Sequence, residues 1–155
     1  MSRPVSSEPA ESSDRLAEQL LRLTRRLHHA QKAAFRPLGL TPAQSRLLRT
    51  VGAHGRHGEA PRMADLARQL EVVPRAVTTL VDALEERGAV RRAQDPDNRR
   101  VVLIELTDEG HAILGRLRQA RQSAAEGILE GLTQEQRVQL GGLLSTLVDE
   151  PENGS

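Results

Sequence analysis

Two neighbouring arginines follow an acidic turn in the segment DPDNRRVVLIELTDEG. A guanidinium group can bind phosphate oxygens or enter the narrow minor groove of DNA, where the potential is negative. The surrounding sequence gathers four arginines within ten residues: Arg91, Arg92, Arg99 and Arg100. The carboxylates of Asp95 and Asp97 leave a second interpretation open, a surface turn whose charges pair with one another.

A second set of candidate residues lies in PRAVTTLVDALEERG. Val77, Leu80 and Leu84 recur at helical spacing and predict one buried helix face. The opposite face then carries Arg75, Thr78, Thr79 and Asp82. Arginine can form a paired contact with guanine, and threonine offers a hydroxyl and a methyl group to base edges. A merely solvated Arg75 is the alternative, although the helix dipole disfavours positive charge at a helix start.

The elements that position these residues follow from capping signals and apolar spacing. Thr41 with Gln44, and Thr133 with Gln136, are capping boxes that open two helices, and Thr107 caps a third. The predicted order of elements is a helix over 14–36, a helix from Thr41, a glycine-rich loop GAHGRHGEAP, short helices in RMADLARQL and PRAVTTLVDALEERG, strands AVRRA and RVVLIEL, a helix to about residue 130, and a last helix.

Composition limits the class of protein. The 155 residues suit one domain with a hydrophobic core, and the absence of cysteine excludes disulfides and thiolate catalysis. A net charge of +1 means that a nucleic-acid role must rest on where the arginines lie. No apolar run approaches the roughly 20 residues of a membrane span, and the N-terminus does not resemble a secretory signal. We therefore expect a cytoplasmic protein.

An enzyme would need a nucleophile, a base and orienting groups, or a metal ion. His54 and His57, with Glu59 nearby, come closest to metal-ligand spacing. They fall in the predicted loop, with no cysteine and no evident further ligand, which favours a solvated loop. We expect no catalytic residue, no cofactor and no metal site.

Two short helices, a tight turn and a two-stranded hairpin are the order of a winged helix-turn-helix. The expected fold class is mainly α with a small two-stranded antiparallel β wing. Such a fold is also reused in protein assemblies, so a protein-interaction module without operator binding is the alternative function. An arginine-bearing hairpin beside an arginine-threonine helix face favours double-stranded DNA as the partner.

The segments LTPAQSRLL, LARQLEVVPRAVTTLVDALEERGAVRR and DPDNRRVVLIELTDEG resemble the MarR family of winged-helix transcription regulators. The resemblance implies six helices in an interlocked homodimer that binds a palindromic operator, represses transcription and is released by a small-molecule effector. It assigns base contacts to Arg75, Thr78 and Thr79 and wing contacts to Arg99 and Arg100. The expected boundaries are a domain over 13–149, with a winged helix at 40–107 and dimerisation helices at 14–36 and 108–149. The polar ends of the sequence predict disordered tails over 1–12 and 150–155.

The sequence departs from the family pattern at four positions. Glu71 stands where the turn usually carries glycine, and Val73 precedes the recognition helix where a capping side chain is common. Asn98 replaces the acid before the wing arginines, and Thr79 stands where many relatives carry arginine. The departures bear on base specificity and on how the wing is held, rather than on the fold.

Overall fold

The computed structural model describes residues 8–149, with side-chain accessibilities from residue 12 onward. Within them lie six α-helices and a two-stranded antiparallel sheet, which confirms the predicted fold class. No helix in this range is both long and apolar enough to cross a membrane. The elements are α1 (Glu8–Phe35), a 3₁₀ turn (Arg36–Leu38), α2 (Pro42–Arg56), α3 (Met63–Leu70), α4 (Pro74–Glu86), β1 (Val90–Gln94), β2 (Val102–Leu106), α5 (Asp108–Leu129) and α6 (Gln134–Val148).

Helix α1 begins at Glu8 rather than at residue 14. The prediction of a disordered tail is therefore wrong for residues 8–12, while residues 1–7 and the predicted tail 150–155 lie outside the described part. Apolar spacing starts only at Leu16, so periodicity gives no signal for the polar first turns. Extending an existing helix adds one hydrogen bond per residue without a new nucleation cost.

Helix α2 opens with the predicted capping box, in which Thr41 and Gln44 exchange side-chain and backbone hydrogen bonds. It continues to Arg56, so the predicted loop is wrong for residues 52–56. Gly52 is buried, and a Cβ there would lie 2.4 Å from Cδ2 of Leu114 on α5. The glycine thus permits close packing of two helices instead of ending one.

The chain forms two compact units. The central unit, residues 32–121, holds the hydrophobic core beneath α4 and the hairpin. Its fully buried side chains include Leu47, Leu48, Leu66, Val77, Val81, Leu84, Ile104 and Leu117. The described residues of the terminal unit are 8–31 and 122–149. In this unit α6 has no buried side chain, although it is rich in leucine.

The hairpin pairs Val90 with Leu106 and Gln94 with Val102. Its connecting segment, residues 95–101, is longer than the predicted QDPDN turn because β2 begins at Val102. The N–H of Ile104 donates to the carbonyl of Pro61 at 3.0 Å, and Arg62 forms an isolated bridge with Leu103. The segment that precedes α3 therefore fixes the outer edge of β2.

Helix α5 starts on a compact backbone junction. Its predicted cap is confirmed, because the Thr107 hydroxyl accepts a hydrogen bond from the N–H of Gly110 at 3.0 Å. The Thr107 N–H donates to the carbonyl of Ala89 at 3.1 Å. A Cβ on Gly110 would lie 1.9 Å from that same carbonyl oxygen, so the position requires glycine.

Candidate nucleic-acid interface

The exposed face of α4 carries the residues predicted to read bases. Val77, Val81 and Leu84 are fully buried, which turns the opposite side of the helix outward. Arg75, Thr78 and Thr79 are all exposed on that outward side. No ion pair between described residues involves Arg75. The three side chains therefore form one accessible polar surface.

Both threonine hydroxyls on α4 donate hydrogen bonds to their own helix. Thr78 Oγ1 donates to the carbonyl of Pro74 at 3.2 Å, and Thr79 Oγ1 donates to that of Arg75 at 3.1 Å. A hydroxyl carries only one donor hydrogen. In this conformation each threonine offers an outside partner an acceptor oxygen and a methyl group. This chemistry suits the amino groups of adenine or cytosine and the thymine methyl better than a phosphate.

The turn before α4 accommodates both departures that the sequence shows there. Glu71 adopts a left-handed conformation with φ of 55°, and its N–H reaches the carbonyls of Ala67 and Arg68. Val73 is the N-cap of α4 and forms no side-chain capping bond. The turn thus has the geometry that favours glycine, but with a side chain in place.

The four hairpin arginines separate into two pairs. Arg91 contacts Glu105 on the facing strand at 2.8 Å, and Arg92 contacts Asp82 and Glu85 of α4. Arg99 and Arg100 are exposed, and neither takes part in an ion pair between described residues. Of the two interpretations of the hairpin, internal pairing applies to its base, while the guanidinium groups at its tip stay accessible.

Arg92 connects the hairpin to α4. Its Nη2 lies 2.6 Å from Asp82 Oδ1 and its Nη1 lies 2.8 Å from Glu85 Oε1. The hydrogen bond to Asp82 and the charges of both carboxylates raise the pKa of the Arg92 guanidinium against a smaller opposing effect of burial. The sequence predicts Asp82 on the outward face of α4 but does not indicate its contact with Arg92, since the two lie ten residues apart on different elements.

A second arginine fixes the far end of α4. Nη1 of Arg87 donates to the carbonyl of Gly39 at 2.8 Å, and Nη2 donates to that of Leu38. These carbonyls belong to the turn that precedes α2. The exposed face of α4 is therefore carried on a helix that is attached to its neighbours near its C-terminal end.

The histidines considered as metal ligands lie on and just after α2 rather than within a long loop. Nε2 of His54 is 3.0 Å from Oε1 of Gln69 on α3. His57 is the C-cap residue of α2. In the described residues, no group of three or more His, Cys, Asp or Glu side chains is arranged to hold a metal ion.

Known proteins match both the sequence and the fold. The model of the MarR family matches residues 40–102. The HTH-type transcriptional repressor MdtR of Bacillus subtilis is 31% identical over 114 residues, covering 74% of this chain and 71% of MdtR. This chain belongs to the MarR family.

Two further similarities extend over nearly the whole chain. The HTH-type transcriptional repressor NicR of Pseudomonas putida is 27% identical over 153 residues, which cover 98% of this chain and 94% of NicR. The crystal structure of YusO from Bacillus subtilis superposes with a TM-score of 0.75 at 27% identity, covering 94% of this chain and all 100% of that one. The similarity therefore includes the terminal helices as well as the winged helix.

The hairpin of this MarR family chain holds its tip without an acid directly before the arginines. The Asn98 side chain accepts from the N–H of Arg100 at 3.1 Å, and Asp95 Oδ1 accepts from the N–H of Asp97 at 2.9 Å. Backbone bonds close the same turn between Asp95 and Val101. Asp95 also lies 3.7 Å from Arg62, outside the hairpin. Backbone bonding by Asn98 thus stands in place of an acid–arginine pair, and both tip arginines stay outside the ion pairs of the described residues.

Proposed function

We propose that this protein is a transcriptional repressor that binds a palindromic operator as a homodimer. The observation that carries the proposal is the attachment of the hairpin to α4 by Arg92. This attachment holds the hairpin tip, with exposed Arg99 and Arg100, in a fixed position relative to the α4 face that carries Arg75, Thr78 and Thr79. In this proposal α4 enters the major groove, while the hairpin reaches the adjacent minor groove or phosphates.

Each of the five side chains has one role in the proposal. Arg75 forms paired hydrogen bonds to a guanine, and Thr78 and Thr79 contact base edges through an acceptor oxygen and a methyl group. Arg99 and Arg100 contact phosphates or the minor groove, which positions the protein rather than specifying sequence. The proposal includes no catalytic step and no cofactor. A regulator of this kind acts on chromosomal DNA, in the cytoplasm.

The exposed leucines of the terminal helices support a homodimer whose interface is formed by residues 14–36 and 108–149. Several leucines are substantially exposed in the described residues of the terminal unit: Leu16 68%, Leu20 58%, Leu143 67% and Leu147 69%. Exposed apolar surface of this extent is costly unless it is covered. A second copy would cover it and match the two-fold symmetry of a palindrome. Light scattering after size exclusion tests this, and a monomer at micromolar concentration would contradict it.

A gel shift on the DNA that flanks the protein's own gene tests the regulator proposal. We expect a shift whose affinity falls steeply with salt, because arginine–phosphate contacts release counterions. Absence of binding even at low salt would refute operator binding and favour a protein-interaction module. Release by a small-molecule effector is the remaining part of the proposal. A thermal-shift screen of small organic acids tests it, and a flat screen would indicate a constitutive DNA binder.

A further inference from the structure

Five arginines on α2 and α5 lie outside the proposed DNA-binding surface and form no ion pair with any acidic residue in the described part of the chain. They are Arg46, Arg49, Arg56, Arg118 and Arg121. No ion pair between described residues involves any of them, whereas Arg116 on the same α5 pairs with Glu109 at 3.8 Å. The central unit thus concentrates positive charge at one place, and the ion pairs among the described residues do not neutralise it.

These arginines border two adjoining spaces. A cavity of about 110 Å³ is lined by Arg49, Arg56, Leu114, Arg118 and Arg121. An open cleft of about 590 Å³ is lined by Arg46, Arg49, Thr50, Ala53, His54, His57 and Gln69. No acidic side chain is among the residues that line either space. Arg49 belongs to both, which makes it the centre of the cluster.

The surroundings of Arg49 disfavour its positive charge. Its pKa is lowered first by partial burial and then by the nearby charges of Arg121 and Arg46. Among residues 8–149, its side chain forms one hydrogen bond, a long one of 3.4 Å from Nε to the carbonyl of Ser45. The outer nitrogens of the guanidinium are therefore available. A ligand with negative charge would relieve the repulsion and satisfy these donors together.

We propose that the small cavity at Arg49, Arg118 and Arg121 binds a phosphate-class oxyanion. Guanidinium groups bind such anions through paired, charge-assisted hydrogen bonds. The cavity of about 110 Å³ is lined by four arginines and one leucine, and this concentration of positive charge suits an anion with more than one negative charge better than a single carboxylate. The oxyanion is either a free phosphate or the phosphate of a larger molecule. This inference does not depend on the proposed repressor function.

Unfolding of the full chain in sodium phosphate, against sodium chloride at equal ionic strength, tests the site without DNA. We expect phosphate to raise the melting temperature of the wild type beyond the effect of chloride. Arg49→Met should lower phosphate affinity by roughly tenfold to a hundredfold, the range for losing a charged hydrogen-bond partner. Arg116→Met is the matched control on α5 and should keep the full phosphate response.

The same variant gives a second readout that a purely structural arginine would not produce. Without phosphate, Arg49→Met should melt no lower than the wild type, because it removes a repelled charge and keeps an aliphatic stem. Arg121→Met should show the same loss of phosphate response. It tests the site independently if Arg49→Met folds poorly. Equal phosphate stabilisation of the wild type and both variants would overturn the proposal.

Operator binding in phosphate-free buffer identifies the source of the oxyanion. If a DNA phosphate occupies the site, Arg49→Met will weaken operator binding in proportion to its loss of phosphate affinity. If the site takes a free oxyanion, operator affinity will stay at the wild-type value while the phosphate response is lost. Both results support the site, and a wild type that does not respond to phosphate overturns it whether or not the protein binds DNA.

Discussion

Nη2 of Arg92 on β1 lies 2.6 Å from Oδ1 of Asp82 on α4, and this contact joins the hairpin to the proposed recognition helix. The same guanidinium bonds Glu85 one turn later. Exposed ion pairs contribute little to stability, so the importance of this pair lies in geometry. It fixes the position of the arginine tip relative to the exposed face of α4.

Replacing Arg92 should therefore impair DNA binding more than folding. We expect Arg92→Met to weaken operator binding by roughly tenfold, since misplaced wing contacts lose part of their energy, each charged hydrogen bond being worth about 1.5–3 kcal/mol. Asp82→Asn should have a smaller effect that is not additive with Arg92→Met. Arg91→Met, which breaks a pair within the hairpin, is the control. Additive losses in a double-mutant cycle would argue against coupling between Arg92 and Asp82.

Arg99 and Arg100 should contribute affinity without sequence preference. Their joint replacement by alanine removes two phosphate-directed charges, so the slope of log affinity against log salt should decrease by about 2. The loss should be similar on operator and unrelated DNA. Titrations at several salt concentrations measure it, with Arg116→Ala as a control for general charge. A loss confined to the operator would show that the tip reads bases.

Arg75 should behave differently, because its exposed position at the start of α4 suits base contact. Arg75→Ala should cost about 1–3 kcal/mol on the preferred operator and relax the choice of base at one position of each half-site. Binding to a library of operators with single base changes measures this preference. Thr78→Val keeps the methyl group and replaces the hydroxyl by a second methyl, so it provides a comparison on the same face. A uniform loss over all sequences after Arg75→Ala would contradict base readout.

Local signals in the sequence predicted which helices and strands form better than they predicted the residues at which these elements begin and end. The capping boxes at Thr41 and Thr133 depend on residues three apart, so they could be identified without tertiary information. The glycines of α2 were misleading, because whether glycine ends a helix or permits close packing depends on Leu114, far along the chain. The proposed site residues were predicted from helix periodicity and from the family resemblance. The pairing of Arg92 with Asp82 was not predicted, because the contact exists only after the hairpin folds back.

Glu71 holds a left-handed conformation that costs about 1–2 kcal/mol for a residue with a Cβ. Glycine adopts this conformation without that cost, but loses more chain entropy on folding, about 0.5–1 kcal/mol. We therefore expect Glu71→Gly to raise the free energy of unfolding by about 0.5–1 kcal/mol, measured in urea at one protein concentration. Glu71→Ala keeps the Cβ and should give no such gain. Equal stabilisation by both would mean that removal of the carboxylate, rather than backbone conformation, is responsible.

Gly110 differs from Glu71, because a close steric contact, and not a left-handed backbone conformation, requires glycine at position 110. A Cβ there would lie 1.9 Å from the carbonyl oxygen of Ala89, which is held by the N–H of Thr107. A backbone oxygen in this position cannot turn aside as a side chain could. Gly110→Ala should therefore lower the free energy of unfolding by about 1–3 kcal/mol, the usual cost of overpacking.

Gly115 provides the matched control on the same helix. A Cβ at Gly115 would meet no atom within 4 Å, so Gly115→Ala should stabilise the protein by up to about 1 kcal/mol through helix propensity alone. Urea denaturation of both variants, at the same protein concentration, should give changes of opposite sign. If Gly110→Ala were as stable as Gly115→Ala, the start of α5 would have to be loose enough to move away from β1. The junction at Thr107 would then not fix α5 relative to the hairpin.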